Sequence, residues 1–325
     1  MTARRAFITG LAGQDGSYLA ERLVADGYSV HGLVLQGEPL DNLSGVAERV
    51  TLHVGDLRDS AAIESLVESI VPNEIYNLGG ISSVALSWDK PALTASVSGA
   101  AVAGLLASAW KLHEAGEDVS FVQASSAEIF GNPSVSPQNE NTPLNPISPY
   151  GAAKAFAHDL VRIFRDRGLH ASNAILYNHE STRRPQTFVT RKITSTVARI
   201  AAGREAVLSL GNIAARRDWG WAPDYVAAIS RIPAAEPSDY LLATGVAHSV
   251  EEFVAAAFAS VGISDYRAHI EIDEQFFRPI DAPALVGDSS KAQDQLDFVH
   301  SLTFEELVAG MVGHDAEMLN EDARL

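Results

Sequence analysis

The chain has 325 residues, 46% hydrophobic and 20% charged, an ordinary globular composition that fits one large domain or two smaller ones. A formal net charge of −17 without any long Lys or Arg run argues against nucleic acid or an anionic membrane surface as a partner. The absence of cysteine excludes disulfide and thiolate chemistry, and the ten histidines show no metal-ligand spacing such as H-E-x-x-H.

Met1 runs almost directly into Ala6-Phe7-Ile8, which leaves no room for a signal peptide, and no stretch reads as apolar enough for long enough to span a bilayer. A cytoplasmic protein is the expectation. Arg5 to Thr9 reads as a buried strand, followed at once by Gly10-Leu11-Ala12-Gly13-Gln14-Asp15-Gly16 and a helical pattern over Ser17 to Val24. Gly10, Gly13 and Gly16, three apart, let the backbone turn sharply and approach a pyrophosphate held at the helix N-terminus. After a second strand, Ser29 to Leu35, an acid should meet a ribose hydroxyl or an arginine a 2′-phosphate. Gln36 and Gly37 occupy that place, with Glu38 and Asp41 a little further on. The third strand, Val50 to Val54, ends in Gly55-Asp56-Leu57. Asp56 either accepts from an adenine amino group or caps the helix expected over Ser60 to Ser69.

Glu74 to Leu78 is a fourth strand that breaks into Gly79-Gly80, a second place where backbone can lie against a ligand. Leu93 to His113 reads as one helix and Ser120 to Ala124 as a fifth strand. This rhythm predicts an α/β fold with a doubly wound parallel sheet and right-handed crossovers. Ser125-Ser126-Ala127-Glu128 then falls beyond the carboxyl end of the fifth strand, where active groups of open α/β sheets gather. Gly131 to Pro149 reads as a long loop leading to Tyr150 and Lys154, four residues apart and so on one helix face. Pro149 suits the helix start. A cationic neighbour favours phenolate, so Tyr150 is expected to titrate below its ordinary ~10 and serve as a base.

After a sixth strand, Ala171 to Tyr177, Asn178-His179-Glu180-Ser181 leads into Arg183-Arg184 and Arg191-Lys192. This cationic concentration in an acidic chain suits an anionic diphosphate better than a solvated basic face. Arg216-Arg217-Asp218-Trp219 and Phe276-Phe277-Arg278-Pro279 repeat arginine beside aromatics. A strand at His269 to Ile272 and short helices from Ser249 suggest a smaller C-terminal region, with a polar tail from Gly313. Residues 1–178 are expected to form the dinucleotide-binding domain, rejoined around 212–245, with 179–211 and 246–325 binding substrate.

These residues resemble the extended short-chain dehydrogenase/reductases, and within them the GDP-mannose 4,6-dehydratases. The general likeness lies in T-G-x-x-G-x-x-G at Thr9 to Gly16, the Ser126 region, and Tyr150 with Lys154. The closer likeness lies in Gly13 to Glu21, Asn178-His179-Glu180-Ser181, Thr187 to Thr194, Arg217-Asp218-Trp219-Gly220 and Phe277-Arg278-Pro279. The resemblance implies a Rossmann sheet with a smaller C-terminal substrate-binding region and a reaction at a nucleotide sugar. Tyr150, with Lys154 and Ser126, would take the 4-hydroxyl proton while hydride passes to the nicotinamide. Glu128 would then take the C5 proton and help the 6-hydroxyl leave as water, before hydride returns to C6.

It further implies cofactor contacts at Gly10, Gly13, Gln14, Asp15, Gly16, Asp56, Leu57, Gly79, Tyr150, Lys154, His179 and Arg184. Substrate contacts are implied at Ser82, Asn178, Val189, Lys192, Arg217 and Arg278. The cofactor would be NADP or NAD, since Leu35 and Gln36 stand where relatives carry paired arginines. Gly79-Gly80-Ile81-Ser82-Ser83 replaces A-A-Q-S-H, Leu93 replaces a tyrosine, Ser98 an asparagine, and Ser126 a threonine. The resemblance implies a homodimer or homotetramer, and the short loop after the second strand favours the dimer. An epimerase or reductase on another nucleotide sugar, or a cofactor-binding relative without catalysis, are the alternative readings.

Overall fold

A computed structural model describes residues 3–277, 280 and 284–322. The first half runs β1 (Arg5–Thr9), α1 (Gln14–Ala25), β2 (Ser29–Val34), β3 (Val50–Val54), α2 (Ser60–Ile70), β4 (Glu74–Asn77), α3 (Val84–Asp89), α4 (Pro91–Ala95), α5 (Ala101–Glu114), β5 (Ser120–Ser126), α6 (Pro149–Asp166) and β6 (His170–Leu176). The second half adds β7 (Asn178–Glu180), α7 (Val189–Ala201), β8 (Leu208–Leu210), β9 (Arg216–Trp221), α8 (Ala222–Ile229), β10 (Asp239–Leu242), β11 (Ala247–Ser249), α9 (Val250–Ser260), β12 (Ile270–Ile272), α10 (Ser290–Leu296) and α11 (Phe304–Asp322).

Seven strands form one parallel sheet in the order β10-β6-β5-β4-β1-β2-β3. The order reverses between β1 and β4, which opens the crevice where α/β sheets bind ligands. Ala6, Phe7 and Ile8 of β1 are wholly buried, as a central parallel strand covered on both faces requires. Leu19 and Leu23 of α1 with Tyr225 and Val226 of α8 cover one face. Val67 of α2, Leu105 of α5 and Val161 of α6 cover the other. The smaller region holds a three-stranded sheet, β11-β9-β7, and a two-stranded one, β12-β8. Its core gathers Val197 of α7, Trp219 of β9, Phe253 and Phe258 of α9, and Met311 of α11.

Two expectations are corrected. The predicted helix from Leu93 to His113 is interrupted by a π turn at Ser96–Ala100 between α4 and α5. Buried Ser98 accepts the Ile81 N–H at 3.0 Å and donates to the Ile81 carbonyl at 3.3 Å, tying the turn to the loop after β4. One helical run, Pro91–Glu114, is also long and apolar enough to cross a membrane, contrary to the reading that no stretch was. Half of its apolar window is buried, because α5 is a core helix between α2 and α6.

Candidate active site

Two tight approaches shape the glycine turn. Gly10 has a φ of +69°, and a Cβ there would lie 2.8 Å from Gly79 Cα; a Cβ at Gly16 would run into the Gly10 carbonyl oxygen. Gly13 is the N-cap of α1, so Gln14, Asp15 and Gly16 form its first turn rather than a preceding loop. This cradle opens on a cleft of about 430 Å³ lined by Gly10, Gly13, Gln14, Asp15, Gly16, Asp56, Leu57, Gly79, Ser82 and Arg184. A pyrophosphate-bearing dinucleotide suits it, since the close backbone packing at Gly10 and Gly16 sets the N-terminus of α1, where an anion is favoured, on the cleft. Ser82, assigned from sequence to substrate, lies on this cleft. The helix-cap reading of Asp56 fails: Asp59 caps α2, accepting from Ala62 N–H at 3.1 Å, and Asp56 is bound to Arg58.

A buried network joins the glycine turn to β7. Gln14 Nε2 donates to the His179 carbonyl at 3.1 Å, and Ser181 Oγ donates to Gln14 Oε1 at 2.8 Å. His179 donates from Nδ1 to the Tyr177 carbonyl at 2.7 Å and from Nε2 to Asp15 Oδ2 at 2.9 Å. Burial alone would raise the Asp15 carboxyl, but the charge and hydrogen bond of His179 bring it down to about 2. The same pairing outweighs burial at His179 and raises it. His179 therefore holds the turn through Asp15, and its ring stacks on Tyr225 at 4.8 Å.

Ser148 caps α6, accepting the Gly151 N–H at 3.0 Å, with Pro149 in the first turn. This sets Tyr150 and Lys154 on the buried face. Lys154 Nζ donates to the Ala124 carbonyl on β5 at 2.8 Å and stands 5.9 Å from the Tyr150 ring centroid. A Cβ on Gly80, which lines the cleft, would lie 4.0 Å from Lys154 Nζ, but Tyr150, Lys154 and His179, which the sequence assigned to the cofactor, do not themselves line it. Tyr150 hydrogen-bonds Ser126, and the Glu128 N–H donates to the same Ser126 Oγ at 3.2 Å.

The electrostatics correct the sequence reading of Tyr150. Burial pushes its phenol up to about 12, and the Ser126 hydrogen bond and Arg184 only partly offset this. Burial likewise lowers Lys154 to about 8. Lys154 alone therefore does not bring Tyr150 toward neutrality.

The cationic concentration also proves largely structural. Arg183 pairs with Glu21 at 2.6 Å and lies over Tyr18; Arg191 pairs with buried Asp315 at 2.6 Å. Arg184 lies 3.4 Å from Glu180, over the Phe188 ring. Lys192 lies 3.4 Å above the Phe276 ring. Asn178, Val189, Lys192 and Arg217 sit on β7, α7 and β9 of the smaller region and do not line the dinucleotide cleft; Arg278 lies outside the described residues. Sequence reading missed Arg58, Pro185 and Phe188, which line the cleft. Pro185 and Phe188 fall inside the Arg183 to Thr190 stretch, where the arginines drew attention instead.

A sequence-family profile described as GDP-mannose 4,6 dehydratase matches residues 7–311. The chain is 41% identical to GDP-mannose 4,6 dehydratase 1 of Arabidopsis thaliana, covering 98% of this chain and 91% of that one. It is 41% identical to the GDP-mannose 4,6 dehydratase of Homo sapiens, covering 97% and 92% respectively. Among solved structures, a UDP-glucose 4-epimerase of Thermotoga maritima with UDP-glucose superposes with a TM-score of 0.85 at 23% identity, covering 97% of this chain and 99% of that one. A dTDP-glucose 4,6-dehydratase of Bacillus anthracis in complex with NAD gives 0.82 at 19%, covering 98% of each chain. These two share the fold, while the profile and the relatives over nearly the full length go further: this chain belongs to the GDP-mannose 4,6-dehydratase family.

Proposed function

We propose that the protein is a nucleotide-sugar 4,6-dehydratase that converts GDP-mannose to GDP-4-keto-6-deoxymannose and water. The observation that carries the reading is the convergence on Ser126. The Tyr150 phenol and the Glu128 backbone meet one hydroxyl at the end of β5, and the Glu128 charge acts on the Tyr150 phenol, which supports a base for oxidation standing near a carboxylate that a simple dehydrogenase does not need.

When bound, the oxidised nicotinamide of NADP or NAD supplies a positive charge and a hydride acceptor, taking hydride from C4 and returning it to C6. Tyr150 receives the 4-hydroxyl proton, and Ser126 fixes the phenol oxygen through its hydrogen bond. Lys154, held on Ala124, supplies positive charge on the same helix face. The 4-ketone acidifies C5–H, whose proton passes to the Glu128 carboxylate. Glu128 then passes that proton to the leaving 6-hydroxyl, which departs as water, and the proton taken up by Tyr150 is the one that reprotonates C5, so both groups regain their starting state. Gly10 to Gly16, Asp56, Leu57, Gly79, Arg184 and, through Asp15, His179 are assigned to the dinucleotide. Asn178, Val189, Lys192, Arg217 and Arg278 are assigned to the nucleotide sugar. Purified protein given GDP-mannose is expected to yield a sugar lighter by one water with no net change in nicotinamide absorbance; a product of unchanged mass contradicts the reading.

Residues 1–178 with the return through α8 and β10 are proposed to carry the dinucleotide, and 179–211 with 246–325 the sugar nucleotide. The assembly is proposed to be a homodimer through α6, whose outer face leaves Phe156 and Ile163 about half exposed. A cytoplasmic setting is proposed, in keeping with a chain that lacks cysteine.

A further inference from the structure

One wall of the dinucleotide cleft is built by the segments that follow β2 and β3. Leu35 and Glu38 come from the first, Asp56 and Arg58 from the second. Glu38 is fixed to the strand end. Its Oε2 accepts the Leu35 N–H at 2.9 Å, and its own N–H donates to the Leu35 carbonyl at 3.1 Å. Arg58 is committed to Asp56, with Nε 3.0 Å from each carboxylate oxygen and a further bond from the guanidinium at 2.5 Å. That pair is neutral, so the net charge of the wall is that of the Glu38 carboxylate. Arg184, also on the cleft, lies 3.4 Å from Glu180 and over the Phe188 ring, and its charge acts on Asp15 and Tyr150.

In sheets of this topology the adenosine ribose lies beyond the second strand, where a carboxylate accepts from the 2′-hydroxyl and a 2′-phosphate requires a cation. Glu38 follows the glycine turn by about 20 residues, the spacing that rule describes. A ribose hydroxyl donating to a carboxylate makes a charge-assisted bond, whereas a 2′-phosphate would bring like charge against it.

We infer that Glu38 selects NAD over NADP in this site, by accepting from the ribose 2′-hydroxyl and repelling a 2′-phosphate. The inference rests on the reading of the cleft as a dinucleotide site. Arg58 does not reverse the choice, because turning to a phosphate would strip Asp56 of its partner and leave a second carboxylate on the same wall.

The test is calorimetric titration of the full-length protein, freed of bound nucleotide, with NAD and with NADP. NAD is expected to bind at least about tenfold more tightly, the worth of one charge-assisted contact. Glu38→Gln keeps an oxygen for the Leu35 N–H and removes the charge; it is expected to bring the two affinities within about threefold, mainly by strengthening NADP. Wild-type protein that binds NADP as tightly as NAD, or a Glu38→Gln protein with an unchanged preference, overturns the inference. Should the variant not fold, the wild-type ratio alone decides. If neither dinucleotide binds, the cofactor reading of the cleft falls, and the selectivity with it.

Discussion

Gly151 lies against the backbone of Glu128: a Cβ on Gly151 would come within 2.5 Å of the Glu128 carbonyl oxygen and 3.2 Å of Ser148 Oγ. The first turn of α6 is thereby seated on the short turn, Ala127–Ile129, that carries the carboxylate. Gly151→Ala is expected to push the two apart. Because overpacking shifts backbone, stability should fall by about 1–3 kcal/mol, and a misplacement near 1 Å should lower kcat on the order of 10²-fold. Dinucleotide affinity should fall far less than kcat, since the glycine cradle at Gly10 to Gly16 opens α1 and is not on α6. Steady-state kinetics beside dinucleotide titration check this, and a variant with wild-type kcat counts against the coupling.

The Asp15–His179 pair predicts a stability window in pH. Asp15 is depressed from 3.8 to about 2, so its contribution, on the order of 2 kcal/mol, is present above 3.8 and lost as pH falls toward 2. His179 is raised from 6.5, so its contribution is present below 6.5 and lost as pH rises through its folded value. The melting-temperature gap between wild type and Asp15→Asn should be widest from about pH 4 to 6.5 and narrow on both sides. A gap independent of pH contradicts the pairing.

Arg191 and Lys192 are neighbours in sequence with different expected roles. Arg191→Met leaves Asp315 buried without its partner, each residue being 5% exposed, and should cost roughly 3–5 kcal/mol in urea unfolding. Its KM for the nucleotide sugar should change little. Lys192→Met should do the reverse, raising KM with stability nearly unchanged. Equal effects of the two on KM would contradict the division.

The sheet was legible because its strands announce themselves by apolar runs and glycine stops: β1 and β3 match their expected bounds at both ends. The start of α6 was legible from Ser148 and Pro149. The π turn around Ser98 was not, since it depends on a tertiary bond to the Ile81 backbone that leaves no periodic trace. The Tyr150 titration was misread for a related reason: spacing shows that Lys154 is near, but not that burial of both groups outweighs the attraction. The arginines were misread because their carboxylate partners, Glu21 and Asp315, come from distant positions in the chain.

Phe156→Asp on the outer face of α6 should lower self-association by at least about tenfold, a charge being poorly accommodated in an apolar contact. Sedimentation of the two proteins across a concentration series measures this. Unchanged association would place the interface elsewhere.

Glu128→Gln tests the central claim most directly, because it removes the carboxylate while the backbone N–H still meets Ser126. Given GDP-mannose, the variant is expected to oxidise C4 and stop, so reduced nicotinamide accumulates, seen by absorbance, and mass spectrometry finds no sugar lighter by one water. Dehydrated product formed at the wild-type rate would contradict the account.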